Sequence, residues 1–576
     1  MAETGGALTR SNTLPAMPSP LVECVPNFSE GRDPAVITAI NDAIVAVEGV
    51  ALLDVDPGAS TNRTVVTFVG PPGPVVEAAV RAGRAAAEHI DMRRHHGAHP
   101  RFGSMDVCPF VPVRDVSMAE VADLAREAGR RLGDEVGLTV YLYEEAARAP
   151  HRRNLADVRA GEYEGLAARL ADPEWRPDFG PAEFQPSTGA TAVGAREFLV
   201  AYNVNLNTTS TRRANAVAFD VRERGRVKRV GNPLTGEIVR GPDGEPEYQP
   251  GVLPGVKGIG WFIEEYGVCQ VSMNLTDIGV TPVHAAFEAV AESAAARGMR
   301  ATGSEIVGMV PLRAMLDAGR FYLTRQQRSH GIPDEEIVDL AVRSLGLDEL
   351  APFEPRDRII EWRLDEPGSQ LVDKTVTGFV HAVASEAPAP GGGSVAALAG
   401  ALGAGLGTMV ANLSAHKRGW DERWEEFSDW AVRGKDLHGR LLRLVDEDTI
   451  AFDALVAVRR AARASEDPDA AEAVEAATYG AIEVPLAVME AALEAMEVIA
   501  AMAAAGLASS VSDAGVGALL ARAAVRGAHL NVRINAVGLT DAKTRDEYLA
   551  RAAGMAAAAT DREEEILAVV DRRMGE

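Results

Sequence analysis

Cysteine is scarce in this chain, and its scarcity excludes several kinds of protein. The 576 residues contain only Cys24, Cys108 and Cys269, which lie far apart, and no Cys-x-x-Cys pair or Cys/His zinc spacing occurs. This excludes a disulfide framework and predicts a reducing, cytoplasmic location. Residues 1–19 lack the apolar core of a signal peptide, and we expect them to form a flexible N-terminal segment.

Basic residues are also few in comparison with acidic ones. The chain has 58 Lys and Arg against 83 Asp and Glu, which gives a formal net charge of -25. Because such a surface repels phosphate, we expect neither nucleic acid nor an anionic membrane as a partner. Residues 222–229 and Arg93, Arg94 and Arg101 remain candidates for local basic sites, with a solvated loop edge as the alternative.

One uncharged run, residues 391–414, is long enough to span a bilayer. Its large apolar residues recur every three or four positions and form one stripe, and the rest of the helix surface is nearly all Gly and Ala. Small residues let neighbouring backbones approach closely, so we predict a tightly packed helix of a soluble protein. The stripe consists of Val395, Leu398, Leu402, Leu406, Met409 and Leu413.

The composition and the predicted secondary structure of the chain change near residue 365. Before it, β-branched runs such as VVTFVG alternate with amphipathic helical stretches, and after it the sequence is alanine-rich and helical almost to its end. This predicts a multidomain protein: an N-terminal α/β (α+β) region of two sub-domains, whose sheets are covered by helices, and then an all-α helical bundle. The predicted boundaries are 20–196 and 197–345 for the sub-domains, 346–370 for a linker and 371–576 for the bundle. A turn-rich stretch, residues 232–255, predicts a hairpin or a mobile excursion.

His99 is the first candidate for chemistry. It lies in GAHPRFG, where the following proline favours an extended backbone on a loop. Imidazole titrates near neutral pH and is the usual acceptor of a proton from a weakly basic amine. A structural histidine bonded into a turn is the alternative. His95 and His96 suggest a metal site, but Gly97 and Pro100 argue against the helix that this spacing needs, so we expect no metal.

Many motifs resemble one enzyme family in a single order. CVPNFSEGR, LLDVDPGASTNRTVVTFVG, GAHPRFGSMDVCPFVPV, GATAVGAREFLVAYNVNL and KGIGWF look like the formiminotransferase domain of the formiminotransferase-cyclodeaminase family. AVASEAPAPGGGSVAALAGALGAGLGTMV, LVDEDTIAFDAL and SSVSDAGVGA are similar to the cyclodeaminase domain of that family. The resemblance runs from about Leu21 to the C-terminus.

The resemblance implies roles for residues of the first region. His99 would be the base that deprotonates tetrahydrofolate as it attacks the formimino carbon of N-formiminoglutamate. Folate would contact two glycine-rich segments, for which turn structure is the alternative. A long insertion before Gly251 departs from vertebrate members and leaves only the second half of the second segment matched. The implied folate contacts are Gly180, Pro181, Ala182, Glu183, Phe184, Gln185, Pro186, Ser187, Thr188 and Gly189, together with Lys257, Gly258, Ile259 and Gly260.

Asp54, Asp56 and Asn62 are further candidates for the cleft between the sub-domains, and turn capping is their alternative role.

In the second region the resemblance assigns catalysis to Asp448, which would hold and deliver the proton that departing ammonia needs. We expect Asp446, two positions earlier on a helix, to be solvated. Gly391, Gly392, Gly393 and Ser394 begin a helix, where backbone N–H groups suit a folate carboxylate or simply allow close packing and capping. Secondary candidates for folate contacts are Lys417, Arg418, Ser512 and Asp513.

The resemblance therefore implies a bifunctional folate enzyme of histidine degradation. Tetrahydrofolate, usually polyglutamylated, would be a substrate together with formiminoglutamate, and no metal or nucleotide is expected. Two alternatives concern the helical region: methenyl-tetrahydrofolate hydrolysis, or a non-catalytic oligomerisation module. We also expect the helical region to form a homo-oligomer. Because a tethered polyanion can move between sites without full release, channelling from the first site to the second is a further hypothesis.

Overall fold

The computed structural model describes residues 20–59, 61–97, 101–231, 236–264, 266–364, 370–464 and 470–575. Two compact units are present. The first contains Met1–Asp317 and Leu345–Glu366, and the second contains Ala318–Ser344 and Pro367–Glu576. Each unit is described below by itself.

Most of the strands belong to two sheets in the first unit. The larger sheet has the order β1-β4-β2-β5-β7-β6, with β3 added beside β4, and the smaller one has the order β11-β12-β8-β13. The strands are β1 (Leu21–Cys24), β2 (Asn27–Phe28), β3 (Ala51–Gly58), β4 (Arg63–Gly70), β5 (Met105–Arg114), β6 (Thr139–Glu144), β7 (Ala190–Ala195), β8 (Val200–Leu206), β9 (Arg226–Val227), β10 (Tyr248–Gln249), β11 (Val256–Ile263), β12 (Val268–Leu275) and β13 (Ala301–Val307).

The helices of both units follow from amphipathic periodicity and local caps. Asp33 caps the first helix, Ser117 and Glu120 form a capping box at the third, and Thr375 caps the twelfth. The helices are α1 (Pro34–Val45), α2 (Pro72–His89), α3 (Met118–Arg131), α4 (Leu155–Val158), α5 (Glu162–Leu170), α6 (Thr211–Val221), α7 (Val283–Ala295), α8 (Leu312–Arg325), α9 (Asp334–Leu345), α10 (Pro355–Arg358), α11 (Ile360–Leu364), α12 (Val376–Val383), α13 (Gly392–Ala415), α14 (Trp424–Ala464), α15 (Ala470–Ala505), α16 (Val511–Ala536) and α17 (Ala542–Gly575).

The larger sheet has one face against helices and one face that is partly open. Side chains alternate along a strand, so Val22 and Cys24 of β1 point into the core formed with α1, α2 and α3. Glu23, between them, points to the opposite face, where a cavity lies. On β5, Cys108 and Phe110 belong to the same helix-covered core, whereas Val107 and Pro109 line the cavity.

The smaller sheet is antiparallel throughout and has the same division of faces. On β8, Tyr202, Val204 and Leu206 are buried, and the strand packs against α7. Ala201 of β8 and Val307 of β13 are paired neighbours on the other face, and both line the cavity. The open faces of the two sheets therefore contribute to the same cavity within the first unit.

The second unit is an all-helical bundle whose core is rich in alanine. Its central helix, α13, packs against α14, α15 and α16. The Gly and Ala side of α13 is the buried one, and a Cβ atom at Gly403 would lie 2.8 Å from the Gly517 oxygen of α16. Among the described residues, α13 is the one helix long and apolar enough to cross a membrane, and 61% of its apolar window is buried inside the protein.

The predicted fold class, two α/β sub-domains followed by an all-α bundle, is confirmed. The division of the chain differs in detail from the predicted boundaries. Residues 318–344 belong to the helical unit, and the predicted linker 346–370 contains α10 and α11, with Ile359 bridged to Val310. The turn-rich excursion contains β10, which pairs antiparallel with β9 just before the excursion, and residues 232–235 lie outside the described part.

Candidate active sites

A cavity of about 630 Å³ lies in the first unit, between the open faces of its two sheets. Its wall draws on β1, β3, β4, β5 and β6 of the larger sheet and on β8, β13 and the residues that follow β13. A cavity of this size is typical of small-molecule sites and commonly forms where two sub-domains meet. It is therefore the candidate site for chemistry in the first unit.

The cavity wall is rich in charge of both signs. Four guanidinium groups contribute, from Arg63, Arg159, Arg196 and Arg358. Arginine binds carboxylates in a planar, two-pronged geometry, so the wall suits an anionic ligand with more than one carboxylate. The carboxylates of the wall are those of Glu23, Asp54 and Asp56.

Two of these arginines are held by neighbouring side chains. Arg159 donates to the buried Asp106 carboxylate across 2.8 Å, and Arg63 donates to the Asn27 side chain. Burial lowers the pKa of Arg63 and raises that of Asp106, with Arg159 and Arg63 opposing the rise at Asp106. A guanidinium fixed in this way loses little side-chain entropy when it meets an anionic ligand.

His99, the predicted base, lies outside the described residues together with its neighbours 98 and 100. The described residues just before it, His95 and His96, are held by hydrogen bonds to Asn62. The Asn62 amide donates to the His96 oxygen across 3.0 Å, and His95 Nε2 lies 2.7 Å from the Asn62 oxygen. Asn62 directly precedes Arg63, which lines the cavity. His95 is buried, and burial lowers its pKa.

Residues 180–189, the first implied folate segment, lie against both ends of the loop that carries His99. The Met92 and Ser104 amides donate to the oxygens of Ser187 and Thr188, each across 2.8 Å. Gly189 forms a bridge with Gly103. The segment is not part of the cavity wall and instead contacts Met92, Gly103 and Ser104, which lie on either side of residues 98–100 in the sequence.

Lys257, Gly258, Ile259 and Gly260 lie on β11, away from the cavity wall. Lys257 and Ile259 are exposed. At Gly260 a Cβ atom would lie 2.3 Å from the Ala214 backbone, and Gly260 exchanges hydrogen bonds with the Asn215 side chain. Close packing of α6 on β11 therefore accounts for Gly260 by itself.

Of the three additional candidates for the cleft, two line the cavity and one does not. Asp54 and Asp56 line the cavity, whereas Asn62 is buried and bonded to the Gly31 amide and the His96 oxygen. Asn62 therefore joins the segments around Gly31 and His96 and does not line the cavity.

In the second unit, Asp448 of α14 meets the first turn of α13. The Ser394 hydroxyl donates to Asp448 Oδ2 across 3.1 Å and lies 3.2 Å from the Thr449 hydroxyl. A Cβ atom at Gly393 would lie 2.0 Å from Asp448 Oδ1, so only glycine leaves room for this carboxyl group. Burial raises the pKa of Asp448, and hydrogen bonds from the Ser394 side chain and backbone oppose the rise.

The structure therefore brings together residues that are about fifty positions apart. Gly391 is the N-cap of α13, and Gly392, Gly393 and Ser394 form its first turn, where free backbone N–H groups favour negative charge. The arrangement holds a partly dry carboxyl group at a helix N-terminus, which suits proton delivery beside an anionic ligand. Asn531 of α16 also reaches this site, beside Gly392.

The expectation for Asp446 is wrong. Its carboxylate accepts hydrogen bonds from the Leu371 amide across 2.6 Å and from the Val372 amide across 3.4 Å. It is a structural cap for the segment before α12 because that segment crosses α14 at this point.

The secondary candidates lie far from Asp448 in the same chain. Lys417 and Arg418 follow the C-terminus of the 24-residue α13, about 35 Å from its N-terminus at about 1.5 Å per residue. Ser512 and Asp513 begin α16, about 28 Å along the helix from Asn531. These residues do not contribute to the Asp448 site of their own chain.

Half of the cations in the two basic segments form salt bridges with acids. Arg226 pairs with Asp220 and Lys228 with Glu247, whereas Arg222 donates to the backbone oxygens of Gly225 and Gly258. In the second segment the salt bridges are Arg93–Asp91 and Arg101–Glu164. The solvated or structural alternative fits these positions better than an open basic patch.

Several residues of the two sites were not singled out in the sequence. They include the cavity residues Glu23, Arg63, Arg159 and Arg196, and Thr449 and Asn531 near Asp448. One signal was present: Glu23 interrupts the apolar strand LVECV, and a charge at such a position often marks a site.

Family models match three consecutive parts of the chain. They are the formiminotransferase domain, N-terminal subdomain, at residues 21–196, the formiminotransferase domain at 201–365, and formiminotransferase-cyclodeaminase at 375–554. The chain is 44% identical over 534 residues to the formimidoyltransferase-cyclodeaminase of Gallus gallus, which covers 92% of this chain and 94% of that protein.

Two relatives match one part each. A glutamate formimidoyltransferase of Thermoplasma acidophilum is 42% identical over 305 residues, 53% of this chain and 92% of its own. A methenyltetrahydrofolate cyclohydrolase of Methylorubrum extorquens is 33% identical over 204 residues, 35% of this chain and 98% of its own.

Fold, sites and matches together define a two-part enzyme in which a transferase region precedes a cyclodeaminase region. The chain belongs to the formimidoyltransferase-cyclodeaminase family. The predicted family and the two predicted enzyme activities are confirmed.

Proposed function

We propose that this bifunctional enzyme transfers the formimino group of N-formimino-L-glutamate to tetrahydrofolate and then closes formimino-tetrahydrofolate to methenyl-tetrahydrofolate, releasing ammonia. Its metabolic setting is the degradation of histidine. One observation carries the proposal: a single chain matches the transferase models and the cyclodeaminase model in that order over residues 21–554.

The cavity of the first unit suits the donor. Formiminoglutamate has two carboxylates, and the wall offers four arginines, two of them held by Asp106 and Asn27. Positioning two reactants together supplies much of the rate of a transfer of this kind. His99 takes the proton of the attacking ring nitrogen, a role that rests on the family resemblance and that contributes roughly 10²–10⁴-fold.

Asp448 is the proton donor of the second reaction. When the second folate nitrogen closes the ring, the formimino nitrogen leaves as ammonia and takes up a proton. A carboxyl group whose pKa is raised by burial keeps a larger protonated fraction near neutral pH. The first turn of α13 then stabilises the carboxylate that remains.

Paired variants test the assignment of the two sites. His99→Asn is expected to abolish formimino transfer while ammonia release from supplied formimino-tetrahydrofolate continues. Asp448→Asn is expected to do the reverse. If each variant lost both activities, or if neither variant lost one, the assignment would be wrong.

Ammonia distinguishes the proposed second reaction from its alternatives. Hydrolysis of methenyl-tetrahydrofolate releases no ammonia, and a non-catalytic helical unit would leave formimino-tetrahydrofolate unchanged. A coupled ammonia assay on purified protein with formimino-tetrahydrofolate therefore identifies a cyclodeaminase. Loss of the near-ultraviolet absorbance of supplied methenyl-tetrahydrofolate then distinguishes a cyclohydrolase from a non-catalytic unit.

The folate substrate carries a polyglutamate tail in this proposal, no metal takes part, and the intermediate passes between the sites without full release. Tethering raises the effective concentration to the order of millimolar. A chase with excess unlabelled formimino-tetrahydrofolate tests this directly. Complete dilution of the labelled intermediate would exclude channelling.

The helical unit also forms a homo-oligomer in this proposal, with a second copy of the chain on α13. The large residues of the α13 stripe face outward: Val395, Leu402, Met409 and Leu413 are exposed, and Val516 and Leu519 of the adjacent α16 are exposed too. An uncharged apolar face of this extent is unusual on a monomer. The low cysteine content and net negative charge support a cytoplasmic enzyme that binds neither nucleic acid nor membrane.

A further inference from the structure

Glu23 is a carboxyl group buried in the wall of the cavity. It lies in the middle of β1, and its side chain points away from the helix-covered core that Val22 and Cys24 enter. It is 5% exposed, yet it borders the cavity. Asp54 and Asp56, the other carboxylates of the wall, are exposed. Among the described residues that line the cavity, Glu23 is therefore the one carboxyl group that is shielded from bulk water.

Charged groups from two neighbouring segments act on Glu23. Burial raises its pKa from 4.5 to about 7, Arg196 after β7 opposes the rise, and Glu361 of α11 adds to it. Tyr143 of β6 also lines the cavity, and burial raises its pKa far above the ordinary range. Near neutral pH Glu23 thus holds a proton that it can release, whereas Tyr143 holds its proton too tightly.

The transfer reaction needs a proton at a second place. When the folate nitrogen has attacked, the bond between the formimino carbon and the glutamate nitrogen must break, and the departing amine must take up a proton. We propose that the Glu23 carboxyl is the general acid that protonates this leaving nitrogen. This inference rests on the proposed transferase function and names the residue that completes it.

The step balances within the reaction. The C–N electron pair goes to the leaving nitrogen, which forms an N–H bond with the Glu23 proton, and Glu23 becomes a carboxylate. The proton that the attacking nitrogen lost restores the carboxyl group before the next cycle. Arg196 stabilises the carboxylate formed between these two events.

Glu23→Gln tests the role because glutamine keeps the shape of a protonated carboxyl group but donates no acid proton. We expect kcat for formimino transfer from formiminoglutamate to fall roughly 10²-fold, with the KM of the donor changed only a few-fold. Ammonia release from supplied formimino-tetrahydrofolate reports that the second unit is intact. Glu88→Gln, an exposed position on α2, is the matched control and is expected to keep the wild-type rate.

A leaving-group series distinguishes an acid from a merely structural residue. An N-formimino arylamine dicarboxylate, such as the derivative of 5-aminoisophthalate, expels a weakly basic nitrogen that needs little proton donation. With this donor Glu23→Gln is expected to regain a rate within a few-fold of the wild type. An equal loss of rate with both donors would overturn the proposal.

The wild-type protein gives a second readout that needs no variant. Its transfer rate with formiminoglutamate is expected to fall as the pH rises through about 7, because the acid form is lost, and the arylamine donor should abolish this fall. A fall that is identical for both donors would also overturn the proposal. If the wild type forms no formimino-tetrahydrofolate from either donor, the proposed function itself fails, which is a different result.

Discussion

Two buried carboxyl groups, one in each unit, share a physical principle. Burial raises the pKa of Glu23 and of Asp448, and a single neighbouring feature limits the rise, Arg196 at the first and Ser394 at the second. A carboxyl group balanced in this way is protonated often enough to donate and is stabilised once it has donated. Both reactions expel a basic nitrogen, so both sites need this property.

The raised pKa of Glu23 has a consequence for stability. The folded-state pKa of about 7 lies above the usual 4.5, so the folded protein favours the protonated form of Glu23. The contribution of this form to the free energy of unfolding is fully present below pH 4.5 and is lost as the pH rises towards 7. At about 1.4 kcal/mol per pKa unit, the loss between pH 4.5 and pH 7 is about 3.5 kcal/mol. Glu23→Gln cannot ionise, so we expect it to unfold at a higher temperature than the wild type at pH 8 and at nearly the same temperature at pH 4.5. Calorimetry at the two pH values checks this, and an equal difference at both would contradict it.

Asp446 and Asp448 form a natural pair of test positions on one helix. Asp446→Asn weakens the hydrogen bonds to the Leu371 and Val372 amides, so we expect it to cost the helical unit about 1–2 kcal/mol and to keep ammonia release. Asp448→Asn is expected to lower ammonia release at least ~10²-fold without that loss of stability. Urea unfolding and the ammonia assay are run on both variants. Loss of ammonia release in Asp446→Asn, or loss of stability in Asp448→Asn, would contradict the assigned roles.

At the scale of elements, the contact between α13 and α14 builds the second site. The first turn of α13 is glycine-rich because the Asp448 carboxyl group occupies the space where a side chain of Gly393 would be. Gly393→Ala is expected to displace Asp448 and to remove most of the ammonia release.

Gly554, an exposed position on α17 of the same unit, is the matched control. A Cβ atom there meets nothing within 4 Å, so Gly554→Ala is expected to keep activity and to stabilise the helix by about 0.5–1 kcal/mol. Similar ammonia release by the two variants would contradict the prediction, because it would show that the Asp448 carboxyl group can be displaced without loss of activity.

Much of the element structure follows from the sequence alone. The helix predicted from the uncharged run 391–414 is observed as Gly392–Ala415, because apolar periodicity and the glycines before it mark its extent. Which side is buried did not follow: the large residues Leu402 and Met409 face outward, and the Gly and Ala side packs on α16. Periodicity identifies an apolar face but not the partner that covers it.

The candidate sites show the same limit. The family resemblance supplied Asp448 and Ser394, but helix spacing could not reveal that Asp446 caps a distant segment, because the crossing of that segment is a tertiary contact. Glu23 reads as one polar residue in a strand. Its environment comes from Arg196 and Glu361, which are more than 170 positions away.

At the scale of the whole molecule, the exposed stripe on α13 leads to an expectation about assembly. Leu402 is 54% exposed, and a charge at this position would be desolvated in an interface between copies. Leu402→Glu is expected to reduce the molecular mass in solution to that of a smaller species, measured by light scattering at micromolar concentration. Val230→Glu, at an exposed apolar position of the first unit, is expected to leave the mass unchanged. A monomeric wild type would contradict the proposed interface.

The most direct test of the account is a stoichiometric turnover by the purified wild-type chain. Tetrahydrofolate and formiminoglutamate are mixed with the protein, and glutamate, ammonia and the near-ultraviolet absorbance of methenyl-tetrahydrofolate are followed together. We expect one glutamate, one ammonia and one methenyl-tetrahydrofolate for each donor consumed, with glutamate appearing first. Methenyl product without ammonia, or glutamate release that does not depend on tetrahydrofolate, would contradict it.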